Sequence, residues 1–150
     1  MSSRKARVER LIHLRDERLK EEVRKLKLAQ ARVDELAREH ELARQLLAKA
    51  EESRRNLSKG PASVLSFIEA EDWLFTRLSV EAESARRLKL GLAERQKAQA
   101  RVKIARNKLR QLEKLAERIA ERERELAARA ARVLDDEIAG RIARSGRSRT

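Results

Sequence analysis

The sequence predicts an all-α protein: an antiparallel two-helix coiled-coil hairpin whose second helix is the longer. Three observations carry this. Ala, Glu, Lys, Leu and Arg supply 102 of the 150 residues, a bias characteristic of long helices and coiled coils. Apolar residues recur at heptad spacing in two long arms. A single stretch, residues 56–63, interrupts the arms and holds the only proline. Sheet classes are disfavoured because β-branched and aromatic residues are scarce, the aromatics being Phe67, Trp73 and Phe75. Without cysteine there is no disulfide framework, thiolate zinc site or thiol nucleophile. Leu, Ile, Val and Phe total 36 residues, above the level of disordered chains. No apolar run approaches the ~18 residues of a membrane span. The basic N-terminus leads directly into a charged helical pattern, unlike a secretory signal, so a cytoplasmic protein is expected.

The first arm is predicted over about residues 4–57. One row places Ile12, Leu19, Leu26, Val33, His40 and Leu47 seven apart. The companion row reads Val8, Arg15, Glu22, Ala29, Leu36, Ala43, Ala50 and Leu57. Two such rows form the a/d seam of a left-handed coiled coil, here with polar interruptions at Arg15, Glu22 and His40. A turn follows at about 58–63. Gly60-Pro61 stops a helix because the proline ring blocks continuation and glycine accepts left-handed geometry. Ser66-Phe67-Ile68-Glu69 has capping-box spacing, and Ser63 is a competing cap.

The second arm is predicted over about 64–143. Ala105, Leu112, Ile119, Leu126 and Val133 form one heptad row, and Leu88, Arg95, Val102, Leu109, Ala116, Glu123 and Ala130 the other. Gly140 is expected to mark fraying into a basic flexible tail, residues 144–150. Neither arm can bury its seam alone. The short connection makes them antiparallel neighbours within one domain, with the second arm overhanging.

The net charge of +13 is localised. Residues 86–110 hold ten Lys/Arg and one acid, Glu94, and residues 141–150 hold four Arg and no acid. Like charges at this density repel, and are balanced either by a neighbouring arm or by a partner. Both readings are open. The first arm offers Glu17, Glu21, Glu22, Asp34, Glu35, Glu39 and Glu41 opposite this stretch. The candidate contacts for an acidic partner are Arg86, Arg87, Lys89, Lys97, Arg101, Lys103, Arg141 and Arg144. A nucleic-acid-binding coiled coil is the alternative on charge, although the basic segment has no aromatic for base stacking. A self-associating scaffold is the other. A membrane role would be peripheral, because the basic face lacks bulky apolar anchors.

Catalytic signatures are not found. His13 and His40 stand 27 residues apart without partners at metal-ligand spacing, and read as a surface and a seam position. There is no phosphate-binding glycine loop, nucleophile elbow or H-E-x-x-H. The chain is expected to be no enzyme and to need no metal or cofactor. The apolar residues beside the turn are more informative. Val64, Leu65, Phe67, Ile68, Trp73, Leu74, Phe75, Leu78 and Val80 fall within seventeen residues, and Leu74, Leu78, Ala82 and Ala85 continue as a stripe. Two helices cannot bury them all, so this segment either plugs the bend or docks a partner.

Several segments are similar to one family. Residues 10–17, Arg-Leu-Ile-His-Leu-Arg-Asp-Glu, resemble the opening L-x-x-L-R-[DE] helix of the type III export stalk family, which comprises flagellar FliJ and the injectisome YscO-type proteins. The Gly-Pro break followed by an aromatic-bearing helix start, the stretch Leu112-Glu113-Lys114-Leu115-Ala116-Glu117-Arg118 and the near-terminal Leu134-Asp135-Asp136-Glu137-Ile138-Ala139 are similar too, the last with one extra Asp. The resemblance implies a two-helix coiled coil like the rotor stalk of rotary ATPases. It implies as partners a hexameric export ATPase, a membrane-embedded export gate and export chaperones, at the cytoplasmic side of the inner membrane. Carried onto this chain, the paired ends, Arg4 to about Leu19 and about Leu126 to Arg144, would enter the ATPase ring. Leu74 and Leu78, with Phe67 and Trp73, would be candidate gate contacts.

Overall fold

A computed structural model describes residues 3–147, which are all-α: α1 spans Ser3–Leu57 and the longer α2 spans Val64–Arg147. α1 ends by tightening. Ser58 and Lys59 donate their amides three residues back to the carbonyls of Arg55 and Asn56, each at 3.2 Å. The Ser58 hydroxyl donates to the Arg55 carbonyl at 2.6 Å. These bonds satisfy carbonyls that the helix end would otherwise strand. Gly60 has no left-handed φ, so the turn does not use the conformational freedom expected of it.

The cap of α2 is Ser63, not Ser66. The Ser63 hydroxyl accepts the Ser66 amide at 3.1 Å, and the Ser63 carbonyl accepts the first helical bond, from Phe67, at 3.2 Å. Ser66 therefore sits at the third helical position, where a capping box has its second member. At the other end α2 runs through Gly140 to Arg147. The expected fraying at Gly140 does not occur, and residues 144–147 are helix, not flexible tail. Residues 148–150 of that predicted tail lie outside the described residues.

The chain packs as two units, residues 20–104 and residues 3–19 with 105–147. Within residues 20–104 the helices are antiparallel neighbours in constant register. Arg54 pairs with Glu71 and Gln30 with Arg95, so the α1 number falls by 24 as the α2 number rises by 24. Their seam is read from burial. α1 covers Glu22, Leu26, Ala29, Val33, Leu36, His40, Ala43, Leu47 and Ala50, in alternating steps of four and three. α2 answers with Ala70, Leu74, Arg77, Glu81, Ser84, Leu88, Gly91, Arg95, Ala98 and Val102, in the same alternation. That alternation averages 3.5 residues per turn, the period that holds one stripe against a partner. Small residues recur in it, which lets the backbones approach closely.

In the other unit Val8, Ile12, Arg15 and Leu19 turn inward from α1, and Ala105, Leu109, Leu112, Ala116, Ile119 and Glu123 from α2. The seam stops there. Leu126 and Val133, which the sequence places in the same heptad row, are 57% and 58% exposed, left uncovered by the described residues of α1.

Candidate interaction surfaces

The first candidate surface lies beside the connection, on the start of α2. Val64, Ile68, Glu71, Phe75 and Leu78 follow one another at steps of four and three, so they form a strip on the flank next to the seam. Its apolar members are open to solvent, Phe75 at 72% and Val64 at 76%. Glu71 is fixed by Arg54 of α1 at 2.6 Å. The four residues singled out from sequence do not make one patch. Leu74 is 9% exposed and belongs to the seam, so it is no docking residue. Leu78 lies on the strip, and Ala82 and Ala85 extend it at the same spacing. Phe67 is in the seam row but only partly covered, since it sits in the first turn of α2. Trp73 lies with Val80, seven residues on, on the opposite flank. The sequence places Val64, Ile68 and Phe75 in the apolar cluster, but composition alone misses that they, with Leu78, compose the exposed strip. Heptad lettering from the seam separates them.

The second candidate is the basic stretch of α2. Among the described residues, one ion pair from α1 to this stretch stands out. Glu39 reaches across to Arg87 at 3.3 Å. Described ion pairs along α1 itself join Glu21 to Arg24 at 2.7 Å, Glu22 to Lys25 at 3.9 Å, Glu35 to Arg32 at 3.2 Å and Glu41 to Arg44 at 3.8 Å. The i,i+3 spacing brings such pairs together without help from a neighbour. Within α2, Arg86 is held by Glu83 at 2.7 Å and Lys97 by Glu94 at 3.5 Å. Arg95 points into the seam and donates to the Gln30 side chain at 3.2 Å. Lys89, Arg101 and Lys103 form no ion pair among the described residues of residues 20–104, and neither do Arg106, Lys108 and Arg110 in the other unit. They are also not one patch. Lys97 and Arg101 lie on one flank of α2, Lys89 and Lys103 on the other, because the seven-residue repeat separates them. Arg141 and Arg144 are exposed on the last turns of α2, and the Arg144 Nε donates to the Gly140 carbonyl at 3.3 Å.

One polar layer in the seam brings His40, Ser84 and Glu81 together. His40 Nδ1 is 3.0 Å from the Ser84 hydroxyl, and His40 Nε2 is 4.0 Å from a Glu81 carboxylate oxygen. The Ser84 hydroxyl donates to the Glu81 carbonyl at 2.8 Å. The serine is buried in mid-helix. The layer gives the helix pair a polar rung that fixes register. His13 lies on the outer face of α1 in a shallow groove with Glu9, Arg10 and Leu14. Among the described residues no cluster of three or more His, Asp or Glu is placed to hold a metal, and no helix is long and apolar enough to cross a membrane.

The third surface is the end of α2. From Arg124 to Arg147 every residue is exposed except the half-covered Gly140. Arg4 shares a groove with Leu115, Ile119 and Leu126, and Lys5 one with Glu117, Ala120 and Ala127. Here the expectation of paired ends fails. Residues 4–19 lie along α2 up to about Ala127, and residues 128–144 are exposed, or half-covered at Gly140, with no described residue of α1 over them. The length difference between the arms is the sequence signal for this, but the heptad row running on through Val133 conceals it. No protein-family model, no curated protein and no solved structure matches the chain.

Proposed function

We propose that the protein is a non-enzymatic stalk or adaptor of a bacterial type III export apparatus, flagellar or injectisome. In this reading it couples the hexameric export ATPase to the export gate and holds export chaperones, on the cytoplasmic side of the inner membrane. One observation carries the reading: the segments that resemble the stalk family sit on two antiparallel helices whose grooves lie open to solvent. The opening Arg10–Glu17 segment is on α1, the Gly-Pro break is the connection, and the Leu134–Ala139 segment is on the uncovered end of α2. Paired helices can position and transmit, whereas catalysis needs a water-excluding site. The strip of Ile68, Phe75 and Leu78 is the contact proposed for the gate. Arg141 and Arg144 are proposed for an acidic ATPase lumen, where complementarity of charge favours orientation and on-rate.

The test is direct binding of the purified protein to a purified hexameric export ATPase at low salt, with ATP turnover as the second readout. Binding with raised turnover supports the reading. Neither binding nor stimulation overturns it. A nucleic-acid-binding role is favoured by one observation, the cations on α2 that no acid answers. Its mark is affinity that falls steeply with salt as phosphate counterions are released.

A further inference from the structure

We infer that the uncovered end of α2 is a self-association surface, on which a second copy of this chain lies antiparallel with its centre near Arg132. Three features of the segment lead there. It carries an apolar face that no other described residue covers: Leu126, Val133, Leu134 and Ile138 are each about half exposed or more. Alanines at 127, 130 and 131 stand on the same face. Its charges come in blocks, with Arg129 and Arg132 on one side of the centre, Asp135, Asp136 and Glu137 on the other, and Arg141, Arg144 and Arg147 beyond.

The blocks select the partner and its direction. In a parallel pair the three acids would face three acids and the terminal arginines would face each other, and like charges at facing positions repel. Turned antiparallel about residue 132, the acidic block of one copy comes level with Arg129 of the other. The heptad row Leu126, Ala130, Val133 then sets Val133 against Ala130 of the second copy, large against small. The flanking position next to that row sets Arg129 opposite Asp136 of the second copy. The two-fold axis makes every such contact twice. Neither Arg129 nor Asp136 has an ion pair within the described residues of its own chain. This surface is separate from the strip beside the connection, and its existence does not depend on the export reading.

The experiment is sedimentation equilibrium of the full chain from micromolar to sub-millimolar concentration, at low and moderate salt. A reversible monomer–dimer equilibrium is expected. Leu134→Glu should leave the chain monomeric with its helicity by circular dichroism intact, because the residue is 56% exposed and no other described helix faces it. Arg129→Asp and Asp136→Arg should each weaken self-association roughly tenfold, since each converts two attractive pairs into two repulsive ones. An equimolar mixture of these two variants should form a heterodimer at least as tight as the wild-type dimer, because each chain then supplies the charge the other lacks. A monomer at every concentration overturns the proposal. So does a dimer that Leu134→Glu leaves unchanged, or a mixture that associates no better than the single variants, since that would exclude the antiparallel register.

Discussion

Leu36 Cδ1 lies 2.7 Å from the position a Cβ on Gly91 would occupy. Leu36 is 3% exposed, so within residues 20–104 the two helices meet through a leucine set into the gap that glycine leaves. A mid-helix glycine costs about 1 kcal/mol relative to alanine, and here close approach of the helices offsets that cost. Gly91→Ala should lower stability by about 1 kcal/mol net, as overpacking outweighs the gain in helix propensity. In a Leu36→Ala background the added methyl no longer meets the leucine, and the same substitution should raise stability by about 1 kcal/mol. Urea unfolding of the four chains of this cycle checks the sign change. Additive effects would mean that the contact carries no strain.

Glu22 occupies a seam position at 3% exposure, with Lys25 Nζ 3.9 Å away. Taking a charge out of water costs about as much as good contacts return, and replacing a buried, paired carboxylate with a well-packed apolar residue often stabilises by about 1–4 kcal/mol. Glu22→Leu should therefore raise the midpoint of thermal unfolding. A lower midpoint would show that the polar contacts of Glu22 outweigh its desolvation.

The seam is readable from the sequence because it follows from period alone. Both rows of α1, from Val8 to Ala50, are side chains that the structure covers or half-covers, His40 and Glu22 included. Period says which side of a helix turns inward, but not whether another helix is there. Leu126 and Val133 continue the row into a region that the described residues of α1 leave exposed. Leu74 looks like a docking residue by its apolar company, yet it keeps seam spacing with Glu81 and Leu88. Charge balance is less legible still. Composition puts acids on α1 opposite the basic stretch of α2, but i,i+3 neighbours such as Arg24 and Arg32 are closer to those acids than the other helix is. The cap misleads because Ser66-x-x-Glu69 matches the pattern, while Ser63 gains by keeping Val64 and Leu65 inside the helix.

The cap makes its own prediction. Ser63 accepts the Ser66 amide, so Ser63→Ala strands a donor in the first turn of α2 and should cost about 0.5–2 kcal/mol. Ser66→Ala keeps that backbone amide and its acceptor, and should cost less. Amide hydrogen exchange at residues 66–68 gives the local readout. Faster exchange in the Ser63 variant alone is expected, and equal acceleration in both would place the cap elsewhere.

Arg87 and Glu39 make a cross-helix ion pair at 3.3 Å, with both side chains more than 40% exposed. Solvent screening limits such a pair to about 0.2–1 kcal/mol. A double-mutant cycle with Arg87→Ala and Glu39→Ala should return a coupling energy in that range, shrinking as salt is raised. A coupling unaffected by salt would point to packing of the arginine stem instead of charge.

Glu83 and Arg86 bond within one turn of α2, so their pairing needs no second helix. Arg86 donates to the two carboxylate oxygens of Glu83 at 3.1 and 2.7 Å. Those hydrogen bonds, with the charges of Arg86 and Arg87, hold the Glu83 carboxyl below its ordinary value and outweigh the opposing effect of desolvation. A carboxyl lowered in the folded state contributes stability above the unfolded glutamate range, and loses it as pH falls through the folded value. The pair is exposed, so solvent keeps the contribution small, and the carboxyl itself is the sensitive probe. In an NMR titration Glu83 should protonate at lower pH than an isolated glutamate. Arg86→Ala should move it back toward the ordinary value, and Arg87→Ala should move it in the same direction by less. A Glu83 titration indifferent to Arg86 would mean that the two side chains are not bonded in solution.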